Sequence, residues 1–118
     1  MIIRLVISES PISVNHMYGQ SRNGRRFLSK KGKDYKETVK NIAIETGCDH
    51  LLDDELEVRV SYYFGDKRRR DVTNYDKALL DAMSGVVYND DCQIQRIILE
   101  KYYDKESPRT EVTILTRS

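Results

Sequence analysis

The residues best equipped for chemistry fall between Lys67 and Gln93, in the run KRRRDVTNYDKALLDAMSGVVYNDDCQ. Asp71 follows the basic series Lys67, Arg68, Arg69 and Arg70, Lys77 comes next, and Asp90 and Asp91 close the stretch. Acids, a lysine and clustered arginines in this order suit phosphodiester hydrolysis. That reaction needs charge on the phosphoryl oxygens stabilised and a nucleophile made from water, and Mg²⁺ held by carboxylates supplies both. Mg²⁺ is a hard cation that takes carboxylate, water and phosphate oxygens. Asp71, Asp90 and Asp91 are therefore the candidate metal ligands, and Lys77 is placed to steady the scissile phosphate. The run Lys67, Arg68, Arg69, Arg70 would hold the flanking backbone, with Arg22, Arg25 and Arg26 gripping further along the strand. Taken singly, each piece has an ordinary structural explanation: Asp-Asp turns are common on surfaces, and Lys77 with Asp81 makes an unremarkable i, i+4 helical pair. Their co-occurrence in one short stretch favours the chemical reading.

The elements that must position these groups can be read from periodicity. Residues 2–8, IIRLVIS, form a β-branched apolar run and predict a strand. Glu9 to Phe27 carries Pro11, Asn15, Gly19, Asn23 and Gly24 without periodicity and predicts a long loop. Ser29 predicts an N-cap for a helix to about Thr46, with Tyr35, Val39, Ile42 and Ala43 as its apolar stripe, Gly47 as its stop, and Gly32 weakening only its first turn. Leu56, Val58, Val60 and Tyr62 alternate with Glu57, Arg59, Ser61 and Tyr63, a period-two strand over 55–64.

A second helix is expected from Thr73 to Ser84, with a Thr73/Asp76 capping box and Gly85 as breaker. Tyr75, Ala78, Leu79 and Ala82 form its core stripe, while Asn74, Lys77, Asp81 and Ser84 fall opposite. Val86 to Tyr88 predicts a brief extended piece, Asn89 to Asp91 a polar turn, Gln93 to Tyr103 a long strand and Thr110 to Thr116 a last strand. The order β-α-β-α-β-β implies an α+β fold: a mixed, largely antiparallel sheet of about four strands covered by two helices.

At 118 residues the chain fits one domain, 1–118, and a symmetric dimer that hides more apolar area is physically reasonable for this size. No stretch approaches the roughly 18 to 20 apolar residues of a membrane span, and the N-terminus lacks the pattern of a secretory signal, so a cytoplasmic protein is expected. Cys48 and Cys92 are isolated and read as reduced, which argues against a zinc site. Net charge is only +1, but it is segregated. Arg22 to Lys40 holds eight basic residues against two acids, whereas Glu45 to Glu57 holds six acids and no Lys or Arg. Such a dipolar surface presents its basic side to phosphate. The paired tyrosines Tyr62/Tyr63 and Tyr102/Tyr103 allow two readings, stacking on unpaired bases or division between core and dimer interface.

The arrangement R-R-R-D-x-x-N-x-x-K-x-x-x-D-A followed by D-D-x-Q, together with Pro11-Ile12-Ser13-Val14-Asn15 near the front, closely resembles the RusA family of Holliday-junction resolvases, many encoded by phages and prophages. The resemblance covers nearly the whole chain. It implies a homodimeric, Mg²⁺-dependent endonuclease, with Mn²⁺ as a candidate substitute, that nicks opposed strands of a four-way DNA junction. By position it makes Asp71, Lys77 and Asp91 the catalytic residues, and it adds Asn15 and Asn74 to the candidate DNA contacts. One position departs: many members read D-x-D-N, where this chain reads Asp71-Val72-Thr73-Asn74. A hydroxyl does not replace a carboxylate's charge at a metal. Three explanations stand: Asp90 or Asp76 supplies the ligand, the site binds metal more weakly, or cleavage is lost while junction binding is kept.

Overall fold

A computed structural model describes residues 1–117. Six strands and three α-helices follow the order β1 (Ile2–Ile7), α1 (Val14–Met17), β2 (Tyr18–Gln20), β3 (Arg26–Leu28), α2 (Lys30–Glu45), β4 (Glu55–Phe64), α3 (Asp76–Met83), β5 (Ile94–Tyr103) and β6 (Arg109–Arg117). Four strands form one sheet in the order β1-β6-β4-β5. β6 pairs antiparallel with both β1 and β4, while β5 runs parallel to β4. The mixed, largely antiparallel sheet of the sequence reading is therefore present. Its parallel pair exists because β4 and β5 are joined through α3, and only a crossover of that length returns a strand in the same direction.

Strand alternation sets the core. Leu56, Val58, Val60, Tyr62 and Phe64 of β4 face inward beside Val112 and Ile114 of β6 and Ile3, Leu5 and Ile7 of β1. Tyr35, Val39 and Ala43 of α2 and Ala78, Leu79, Ala82 and Met83 of α3 close over them in one apolar cluster. The inward hydroxyls of Tyr62 and Thr110, register neighbours across β4 and β6, have no hydrogen-bond partner among the described residues.

Ser29 caps α2 as its position predicts: its hydroxyl oxygen accepts from the Gly32 amide at 2.9 Å. Gly47 and Gly85 hold φ of 71° and 81° as they stop the chain after α2 and α3, a left-handed conformation glycine adopts without cost.

Four expectations are corrected. The segment from Glu9 to Phe27 is not a plain loop, because it contains α1 and most of a β2–β3 hairpin. These elements are three or four residues long, too short to display a period, and are held by burial of Ile12 and Met17. Gly32 does more than weaken a helical turn. It is buried, and a Cβ there would collide with the Met17 carbonyl oxygen, so the missing side chain lets α1 seat against α2. The Thr73/Asp76 capping box does not form: Val72–Asn74 is a 3₁₀ turn, and α3 starts after Tyr75 with no side-chain cap. Val86 to Tyr88 is likewise a turn rather than an extended piece, touching strand geometry only through isolated bridges of Tyr88 to Leu52 and Ser84.

Candidate active site and nucleic-acid interface

The Asp90-Asp91 turn is built before it can act. Asp90 caps a short 3₁₀ turn, Asp91–Gln93, and accepts from the Cys92 amide at 3.0 Å. Gln93 completes a capping box by accepting from the Asp90 amide at 2.7 Å. The Gln93 side-chain amide also donates to the carbonyls of Leu52 at 2.8 Å and Asp54 at 2.9 Å, bolting the turn to the segment before β4. The two carboxyl groups lie against one another. Asp90's carboxylate beside it, with partial burial, pushes the Asp91 carboxyl above the usual range, while backbone and side-chain donors hold Asp90 below it. An acid whose ionisation is suppressed by its neighbour's carboxylate belongs to a like-charge pair that a divalent cation relieves. With oxygen as the only donor type, the pair fits Mg²⁺ or Mn²⁺.

Lys77 and Asp81 stand one turn apart on the polar face of α3, with Nζ 3.0 Å from Oδ1. The other Asp81 oxygen accepts from the Tyr18 hydroxyl at the start of β2. Burial and then this bond push the Tyr18 phenol up to about 12. The Arg26 guanidinium lies 4.7 Å from the Tyr18 ring centroid, so the β2–β3 hairpin brings a cation over the site. The Asp81 bond, aided by the charge of Asp91, raises the Lys77 pKa and keeps the ammonium protonated. Lys77, Asp81 and Asp91 thus form one electrostatic group.

Asp71 is exposed at the start of the 3₁₀ turn and accepts the Asn74 amide through its carbonyl at 3.0 Å. It lines a cavity of about 370 Å³ with Ser13, Asn15, Arg69, Arg70 and Asn74. A neighbouring cavity of about 420 Å³ is lined by Asn15, Tyr18, Gln20 and Arg26. Asn15 belongs to both and joins the Asp71 side to the hairpin side. Among the described residues no three His, Cys, Asp or Glu side chains stand together at metal-ligand spacing. Asp71 and the Asp90-Asp91 pair are therefore not a preassembled three-acid group; like-charged carboxylates repel one another. Asp76 acts on the other side of α3, where its charge adds to burial and Tyr35 in raising the Tyr62 phenol.

The basic loop is ordered by its own acid. Asp66 binds Arg70 at 2.7 Å and Arg68 at 3.2 Å, and these cations hold its carboxyl well below the usual range. The Arg70 guanidinium also rests 4.5 Å from the Phe64 ring centroid, while Lys101 donates to the Arg70 carbonyl at 2.6 Å. Arg69 and Arg70 line the Asp71 cavity, and Lys67 and Arg68 line another at the end of β4 and β5. Arg22 and Arg25 stand on the exposed turn between β2 and β3, beyond Arg26.

Sequence reasoning foresaw neither the Gln93 capping box nor the Tyr18–Asp81 bond. Gln93 had a legible signal, an Asp-x-x-Gln spacing that suits a capping box. Tyr18 had none, because its partner Asp81 lies 63 positions away.

The family model described as Endodeoxyribonuclease RusA matches residues 9–115. A protein of Shigella sonnei (strain Ss046) named crossover junction endodeoxyribonuclease RusA is 30% identical over 101 residues, covering 85% of this chain and 84% of that relative. Proteins of the same name from Escherichia coli (strain K12) and Enterobacteria phage 82 match with the same identity and coverage. With nearly its whole length inside the family model, the chain belongs to the RusA endodeoxyribonuclease family.

Proposed function

We propose that this protein is a divalent-metal-dependent endodeoxyribonuclease that resolves four-way DNA junctions, acting as a homodimer that makes paired symmetric nicks. The observation that supports it is the acid, lysine and arginine constellation around α3, bordered by two open cavities that share Asn15. Asp71, Asp90 and Asp91 would hold Mg²⁺ or Mn²⁺, which when bound supplies charge stabilisation and an activated water. Lys77, kept protonated by Asp81, sets a fixed positive charge where negative charge grows on the scissile phosphate. Asn15, Asn74, Arg69 and Arg70 orient the strand across the Asp71 cavity. Arg26, with Arg22 and Arg25 beyond it, grips the backbone on the hairpin side, and Lys67 and Arg68 do so on the other.

A second reading rests on Thr73, which stands where many family members carry an acid: a junction-binding protein that does not cut. An end-labelled synthetic four-way junction, incubated with Mg²⁺ and with a chelator in its place, separates the two. Paired nicks that need the metal are the expected result. Tight binding in both conditions with no nicks in either would replace the nuclease reading with the second.

A further inference from the structure

The parallel pairing of β4 and β5 ends on two aromatic rows: Tyr63 lies opposite Tyr102, and Phe64 opposite Tyr103. Because side chains alternate, each row supplies one sheet face. On one face the Arg109 guanidinium lies 3.8 Å from the Tyr63 ring centroid, and Tyr63 stacks on Tyr102 with centroids 5.1 Å apart and planes at 21°. The base of this column is pinned, since Arg109 binds Glu111 at 2.7 Å and Asp104 at 2.8 Å. Its top is open, with Tyr102 45% exposed. On the other face Phe64 is buried, while Tyr103 is 46% exposed with the Lys67 ammonium 5.1 Å from its ring centroid.

These rings border a cavity of about 260 Å³ that Lys67, Arg68, Arg69 and Lys101 also line. Asp66, the acid on this rim, is occupied by Arg68 and Arg70, whereas Lys67 and Arg69 join no ion pair among the described residues. Half-exposed aromatic rings beside cations free of ion pairs are the equipment for unpaired nucleic acid: a base stacks on a ring while cations neutralise its phosphates. A fully paired duplex keeps its base faces covered by neighbouring pairs and offers these rings nothing to stack on.

We propose that this strand end binds an unpaired stretch of a DNA strand, with bases on Tyr102 and Tyr103 and flanking phosphates on Lys67 and Arg69. This rests on the nuclease reading and deepens it, because a site for unpaired bases lets the protein prefer a branch point over continuous duplex.

The test measures fluorescence anisotropy of labelled oligothymidylate and of a duplex of equal length, at low salt without metal. The Tyr102→Leu/Tyr103→Leu protein should bind oligothymidylate about ten-fold more weakly. Its duplex affinity should stay as in the parent, and the Phe/Phe protein should bind both like the parent. Lys67→Gln, an exposed change, should weaken oligothymidylate binding and reduce its salt slope by about 0.7. Undiminished oligothymidylate binding by the Leu/Leu protein, or equal losses on both DNAs, would overturn the proposal. If the Leu/Leu protein does not fold, an unchanged salt slope in Lys67→Gln overturns it instead. Junction nicking by the parent protein is scored apart. Nicking with tyrosine-independent oligothymidylate binding removes this inference alone, and tyrosine-dependent binding without nicking removes the nuclease reading alone.

Discussion

Asp81 holds two partners at once: Lys77 on one carboxylate oxygen and the Tyr18 hydroxyl on the other. It therefore ties the front hairpin to the lysine that faces the Asp90-Asp91 pair. The Tyr18 phenol is raised from 10.0 to about 12, so the folded protein keeps this proton after the unfolded chain has begun to lose it. The stability that burial and this bond together tie to the protonated phenol is fully present below about pH 10 and is lost as pH climbs through about 12. Denaturant midpoints of the parent should thus exceed those of Tyr18→Phe at neutral pH, and the gap should close across that alkaline window. A gap that does not change with pH would mean that neither burial nor Asp81 holds the phenol in its protonated form. Thr73 makes a second residue-scale case. It is exposed in the 3₁₀ turn two residues after Asp71, where a carboxylate would add a charged oxygen ligand. Thr73→Asp should lower the Mg²⁺ concentration for half-maximal junction cutting on the order of ten-fold. An unchanged metal titration would show that this position does not reach the ion.

Among elements, the seating of α1 on the first turn of α2 sets where Asn15 and the hairpin stand. Ser29 makes the joint, capping α2 while its hydroxyl also reaches the Met17 carbonyl at 3.0 Å. Gly32 tests the competition between local and tertiary preference. Helix propensity alone favours Gly32→Ala by about 1 kcal/mol. The collision with the Met17 carbonyl should win, giving a net loss of about 1–3 kcal/mol in urea unfolding together with weaker junction binding as the hairpin shifts. Within the sheet, the Tyr62 hydroxyl is buried without a partner among the described residues, which costs about 1–3 kcal/mol. Tyr62→Phe keeps the ring contacts with Phe64 and Tyr75 and should raise the unfolding midpoint. A fall in stability would reveal a partner for that hydroxyl.

For the whole molecule, symmetric cutting sets the strongest requirement. Two nicks placed across a four-way junction need two active centres related by a two-fold axis. Sedimentation at assay concentration should therefore give twice the 13.8 kDa chain mass. A monomer that still makes paired nicks would show that the two cuts come from separate encounters.

The residues themselves determined much of this protein. Four sheet strands and both long helices were legible because each runs long enough to show its period and is bounded by local signals, Ser29 as a start and Gly47 and Gly85 as stops. The motif residues Asp71, Lys77, Asp90 and Asp91 were legible because their types and spacing lie within one continuous stretch. Tertiary structure alone decided the rest. It made β4 and β5 parallel, turned the front loop into a helix and a hairpin, gave Gly32 its packing role, joined Tyr18 to Asp81, and set Asp71 in a cavity with Asn15 and Asn74. The physical reason is range: periodicity and capping act over a few residues, whereas these outcomes depend on groups that burial brings together from distant parts of the chain.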